Sequence, residues 1–210
     1  MRVLGIDPGL RLTGYACLEG RADVPRIIEA GVLRLGKRSC HRDRVPPDLG
    51  APRARATAAS ISDRLHELDT DFRELLTRVK PHAVAVEAIF AHYKHPATAI
   101  TMAHARGVLL LAIRSTDLTL IELKPNAVKK SLTGHGHAGK SQIQRAVQSL
   151  FNLEKPPEPP DVADAIAIAL CASRRLSVGD EFDGAMLGVK TRRRGSRRSL
   201  PPGVDVVGAA

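Results

Sequence analysis

Residues 2–18, RVLGIDPGLRLTGYACL, decide the class of fold. Two apolar runs, 2–6 (RVLGI) and 13–18 (TGYACL), flank DPGLRL, in which Pro8 and Gly9 mark a turn. Short apolar runs joined by so short a connection read as two antiparallel strands. Residues 27–35 (IIEAGVLRL) read as a third strand of the same meander. Residues 36–53 carry Pro46, Pro47 and Pro52 without apolar periodicity and read as a loop. From 54 to 79, Ala58, Ile61, Leu65, Leu68, Phe72, Leu75, Leu76 and Val79 recur at helical spacing, and Pro81 ends the helix. The run AVAVE (83–87) is short and continuously apolar, which predicts a buried, parallel strand in the middle of a sheet.

The rest of the chain completes the pattern. Residues 96–113 read as a helix, 118–123 (LTLIEL) as a fifth strand, and 125–132 and 140–151 as helices around the loop TGHGHAG. KPPEPP (155–160) breaks the chain, and 161–175 (DVADAIAIALCASRR) is a strongly apolar helix. This order predicts an α/β fold: a five-stranded mixed sheet with helices on both faces. The reading divides the chain into a domain over 1–175, with a basic insertion at 36–53, and a basic, flexible tail over 176–210.

Composition narrows the class of function. The net charge is +10, and all of the excess sits in two segments: 34–55 and 174–198 each carry +5, while the remainder is neutral. Basic blocks of this kind attract polyanions, nucleic acid above all. No apolar run reaches the ~18 residues of a membrane span. MRVLGIDPG leads straight into a strand, leaving no room for a secretory signal. Cys17, Cys40 and Cys171 are widely spaced and form no CxxC pair, as in a reduced cytoplasmic protein without a cysteine zinc site.

Four carboxylates stand where chemistry is expected. Asp7 closes the first strand at the turn; the plain alternative is a turn aspartate. Glu87 ends AVAVE, where a buried charge needs a partner such as a cation; the alternative is an exposed strand-end glutamate. Asp161 and Asp164 share one face of a helical first turn, although Asp161 also suits a helix cap after the prolines. Oxygen donors of this kind suit Mg²⁺. Lys129 and Lys140 flank the glycine loop and could hold phosphates, or could simply be solvated. Gly134–Ser141 satisfies the bare phosphate-loop string, but KKSLT, not an apolar strand, precedes it. His135 and His137 read as loop residues. Phe90 and Tyr93 follow Glu87 closely and could stack on unpaired bases, core packing being the alternative.

At these residues the sequence resembles the RuvC family of Holliday-junction resolvases over roughly residues 2–175. The resemblance rests on GIDPGLRLTGY, AVAVEAIFAHY, HARGVLLLA, VKKSLTGHGHAGKSQIQ and PPDVADAIAIAL, in that order. It implies a ribonuclease H-like fold, a homodimer, and hydrolysis of four-way junction DNA in recombination and repair with two Mg²⁺ ions per subunit, Mn²⁺ substituting. It implies Asp7, Glu87, Asp161 and Asp164 as catalytic metal ligands, Lys129 and Lys140 as DNA-backbone contacts, and Phe90 as the aromatic inserted at the junction. It further implies cooperation with a branch-migration motor complex of the RuvA and RuvB type. The chain departs from the family at 36–53 and after residue 176, both longer than usual, and at Ala88, where glutamine is common. The rival readings are a ribonuclease H-like nuclease of structured RNA, a non-catalytic junction-binding protein, and an actin- or sugar-kinase-like ATPase sharing the DPGLRLTG turn.

Overall fold

The computed structural model describes residues 1–21, 23–36, 59–88 and 96–178. β1 (Arg2–Asp7), β2 (Leu12–Arg21) and β3 (Val24–Arg34) form the antiparallel meander. β4 (Ala83–Glu87) lies parallel to β1, and β5 (Thr119–Leu123) lies parallel to β4. The sheet order is β3-β2-β1-β4-β5, a five-stranded mixed sheet with AVAVE inside it. The hairpin strands run further than their apolar runs: β2 continues to Arg21 and β3 begins at Val24. Backbone pairing extends a strand past the point where burial stops patterning its side chains.

Alternation along the strands sorts the helices. Val3, Ala16, Ala83, Ala85, Ile121 and Leu123 face α3 (Pro125–Thr133), α4 (Lys140–Leu150) and α5 (Pro160–Val178). Leu4, Ile6, Cys17, Val84 and Val86 face α1 (Ile61–Val79) and α2 (Pro96–Arg114). Fully buried side chains such as Phe72, Leu75 and Leu109 each contribute about 1.5–3 kcal/mol by leaving water. On the α5 face the sheet offers mainly alanine and glycine. α5 answers with Ala165 and Ala169, both buried and set against Gly5, so helix and sheet backbones come close.

Two helix ends differ from the sequence reading. The expected helix from residue 54 has its described start at Ile61, after a capping box. There Ser60 Oγ accepts from the Asp63 backbone N–H, and Asp63 accepts from the Ser60 N–H, both at 3.1 Å. Residues 37–58, with most of the 36–53 insertion, lie outside the described residues. α5 runs three residues past 175, because Leu176 still packs against the core. Beyond Val178 the expected tail lies outside the described residues. No helix among the described residues is long and apolar enough to cross a membrane.

Candidate active site

Asp7 and Glu87 end neighbouring parallel strands. β1 and β4 pair as far as Ile6 with Val86, so the next residue of each leaves the same edge of the sheet. The turn after Asp7 is tied by Thr13, which is fully buried. Its hydroxyl donates to the Gly9 carbonyl at 2.6 Å and accepts from the Gly9 N–H at 3.3 Å. Thr13 ties the turn, and Asp7 forms no hydrogen bond or ion pair with another described side chain, so its carboxylate is left available.

α5 delivers the second pair of acids. It opens at Pro160, a favoured first helical position, so Asp161 stands inside the first turn and not at a cap. Its approach depends on Gly14, the β2 partner of Asp7: a Cβ on Gly14 would lie 2.2 Å from the Asp161 carbonyl oxygen. One turn along, a Cβ on Gly5 would lie 2.3 Å from the Ala165 carbonyl oxygen. Both clashes are with backbone, so a side chain at either position forces the helix away. Gly14→Ala is expected to lower stability by about 1–3 kcal/mol, read as a fall in thermal midpoint. A variant melting with the native chain would contradict this packing account.

The four carboxylates line one cleft of about 890 Å³, and Lys129 and Lys140 line it with them. All four are half-buried, and none forms a hydrogen bond or ion pair with another described side chain. Asp7 is held well above the usual carboxylate range by burial, then by Glu87, Asp164 and Asp161, with Lys140 opposing. Glu87 is raised to about 7 by burial and by Asp164, against the pull of Lys129 and Lys140. Burial also raises Asp164; Lys140 opposes, Asp161 adds, and Lys129 opposes in turn. Such mutual repulsion in a half-buried cleft is relieved by protons or by cations.

Among the described residues no group of three or more His, Cys, Asp or Glu side chains is already arranged to hold a metal ion. The donor chemistry nonetheless fits a hard divalent cation: oxygen ligands only, charged and uncommitted to other partners. Phe90 and Tyr93 lie outside the described residues. The phosphate-loop string lies between two helices, not after a strand. α3 leads into it, and Gly139 caps α4 by donating its N–H to Gln142 Oε1 at 2.8 Å.

The cleft also contains Arg11, Arg64, Thr98, Thr101 and Met102, which the sequence reading did not single out. They come from the β1–β2 turn, the first turn of α1 and the first two turns of α2. No local spacing joins them, so only the tertiary fold reveals them.

The family model for crossover junction endodeoxyribonuclease RuvC matches residues 49–172. The RuvC of Rhodopirellula baltica is 41% identical over 169 residues, covering 80% of this chain and 84% of that protein. The RuvC of Thermosipho melanesiensis is 38% identical over 171 residues, covering 81% and 96%. Among solved structures, Thermus thermophilus RuvC in complex with a Holliday junction substrate is similar at a TM-score of 0.67 and 28% identity, covering 85% of this chain and 96% of that one.

Proposed function

Because the chain belongs to the RuvC family of crossover junction endodeoxyribonucleases, we propose that it nicks opposing strands of four-way DNA junctions, using Asp7, Glu87, Asp161 and Asp164 as its catalytic centre. The observation that carries this reading is the convergence of these four carboxylates, with Lys129 and Lys140, in one cleft at the end of the sheet. The Thermus relative of similar fold is described with a Holliday junction as its substrate.

The chemistry follows from the residues. The four carboxylates would hold two Mg²⁺ ions, with Mn²⁺ as a substitute, and ions so held polarise the phosphate and activate the attacking water. Lys129 and Lys140 place positive charge beside Glu87 and Asp164, where the scissile phosphodiester must lie, and can donate to its non-bridging oxygens. The water oxygen bonds to phosphorus as the bond to the 3′ oxygen breaks. The products carry 5′-phosphate and 3′-hydroxyl ends, which a ligase can rejoin.

A symmetric double cut requires two active sites. On α2, Ile100 and Leu111 are 57% and 66% exposed, and a Cβ on Gly107 between them would meet nothing. These positions are seven and four residues apart and share one helical face. Large exposed aliphatics beside a helical glycine suit close packing against a second copy, so we assign this face to a homodimer contact. Cooperation with a branch-migration motor of the RuvA and RuvB type rests on family membership alone.

A substrate comparison tests the reading. A synthetic four-way junction should be nicked, while duplex DNA of the same sequence and a structured RNA are not. Equal cleavage of the RNA would favour a general ribonuclease H-like nuclease. Binding of the junction without any nicking in Mg²⁺ or Mn²⁺ would favour a non-catalytic junction-binding protein.

A further inference from the structure

The cleft straddles the end of the sheet, and its cations stand in two separate layers. Lys129 and Lys140 belong to α3 and α4, in the layer with α5. Arg64 belongs to the first turn of α1, in the layer on the opposite face of the sheet. Lys129 and Lys140 act on the carboxylates, whereas Arg64 is not among the charges that shift Asp7, Glu87 or Asp164.

Arg64 is unusual in its bonding. Its Nε is buried and finds no acceptor, and the guanidinium forms no ion pair among the described residues. Glu67, one turn along α1 and buried, does not pair with it; its carboxylate instead accepts the Gly36 N–H at 2.6 Å. A buried donor without an acceptor is costly, and a guanidinium lining an open cleft is placed to take one from outside the chain. The planar fork of arginine suits two oxygens of one phosphate.

Arg11 reinforces the same side. Its carbonyl accepts the Leu35 N–H at 3.0 Å, and the next residue, Gly36, stands against Arg64: a Cβ there would lie 3.2 Å from Arg64 Nε. The backbone of Arg11 and the side chain of Arg64 therefore flank the same two residues. Both line the cleft, and the Arg11 side chain is exposed.

We propose that Arg64, supported by Arg11, is a binding site for a backbone phosphodiester of the substrate strand other than the one hydrolysed. The strand then crosses the end of the sheet gripped on both sides: by Lys129 and Lys140 at the reacting phosphate, and by Arg64 and Arg11 at a neighbouring one. This rests on the nuclease reading and adds a positioning contact that sets the path of the strand.

The test measures binding by the full chain with Ca²⁺ in place of Mg²⁺, so that DNA stays intact, across a range of salt concentrations. A four-way junction and a single-stranded oligonucleotide serve as parallel probes. Arg64→Gln is expected to weaken binding of both about tenfold and to make the salt dependence shallower by about one phosphate contact. Arg64→Lys, which keeps the charge but loses the fork, is expected to restore the salt slope and only part of the affinity. A native salt slope in Arg64→Gln overturns the proposal, including where that variant melts at a lower temperature, since Arg64 would then be structural. Failure of the native chain to prefer the junction would count against the nuclease reading and not against Arg64, whose phosphate contact the single strand still reads.

Discussion

Asp164→Asn is expected to leave junction affinity within about twofold of the native chain while nicking falls by on the order of a thousandfold or more. The amide keeps the shape of the carboxylate but loses the charge. Asp164 is half-buried at the start of the second turn of α5, one residue beyond the first turn that holds Asp161, and is raised by burial and by Asp161, with Lys140 and Lys129 as its opposing charges. No described side chain forms a hydrogen bond or ion pair with it. Removing it takes away one negative charge from a surface that must accept a polyanion, and leaves Lys129 and Lys140 in place. Binding should therefore survive when chemistry does not. Asp7→Asn should behave in the same way, because Asp7 faces Glu87, Asp164, Asp161 and Lys140 from β1. A gel-shift assay and a nicking assay on one junction separate the two effects. Substantial nicking by either variant would remove that residue from the catalytic centre.

The second large effect concerns stability. Glu87 is raised from 4.5 in an unfolded chain to about 7 in the folded one. Between those values the folded chain holds a proton that the unfolded chain has released. Stability of the metal-free protein therefore falls as pH rises from about 4.5 to about 7, and stays low above that. Glu87→Gln removes this penalty. In the presence of a chelator at pH 8 the variant is expected to be more stable than the native chain by on the order of 2 kcal/mol. At pH 4.5, where Glu87 is protonated in the folded chain and about half protonated in the unfolded one, the difference should shrink to a few tenths of a kcal/mol, about RT ln 2. Mg²⁺ is expected to narrow the gap at pH 8 by stabilising the native chain, because a cation binds the deprotonated carboxylate. The same variant should be inactive as a nuclease. Thermal melts at the two pH values check the sign; a native chain more stable than Glu87→Gln at pH 8 in chelator would show that the carboxylate has a protein partner.

Much of the fold is legible in the sequence because two kinds of pattern coincide with it. Ala83–Val86 is short and apolar ahead of Glu87, as suits a strand covered on both faces, and β4 lies between two parallel neighbours. Phe72, Leu75, Leu76 and Val79 mark the buried face of α1 at helical spacing. The ends of elements are less legible. Ser60 and Asp63 cap α1, but Ala58 continues the apolar period and hides the stop. The length of β2 and β3 comes from backbone pairing, which no side-chain pattern records.

The site divides along similar lines. Glu87 and Asp164 betray themselves as charges within apolar runs. Asp7 and Asp161 do not; only the structure shows that Thr13 ties the turn after Asp7 and that Pro160, not Asp161, opens the helix. Gly14 is silent in the sequence, since its importance lies in the Asp161 backbone almost 150 residues away along the chain. Arg64 is silent for the same reason: it reads as one more charged residue on an amphipathic helix until the cleft places it opposite Lys129 and Lys140.

The central claim is that the four carboxylates in this cleft make the chain a metal-dependent nuclease of four-way junctions. The most direct measurement is strand nicking of a synthetic four-way junction by the native chain as Mg²⁺ is raised from zero. No nicking is expected in chelator, with paired cuts on opposing strands once Mg²⁺ is present and 5′-phosphate ends that a ligase reseals. Nicking that persists in chelator, or a junction left intact in both Mg²⁺ and Mn²⁺, would contradict the claim.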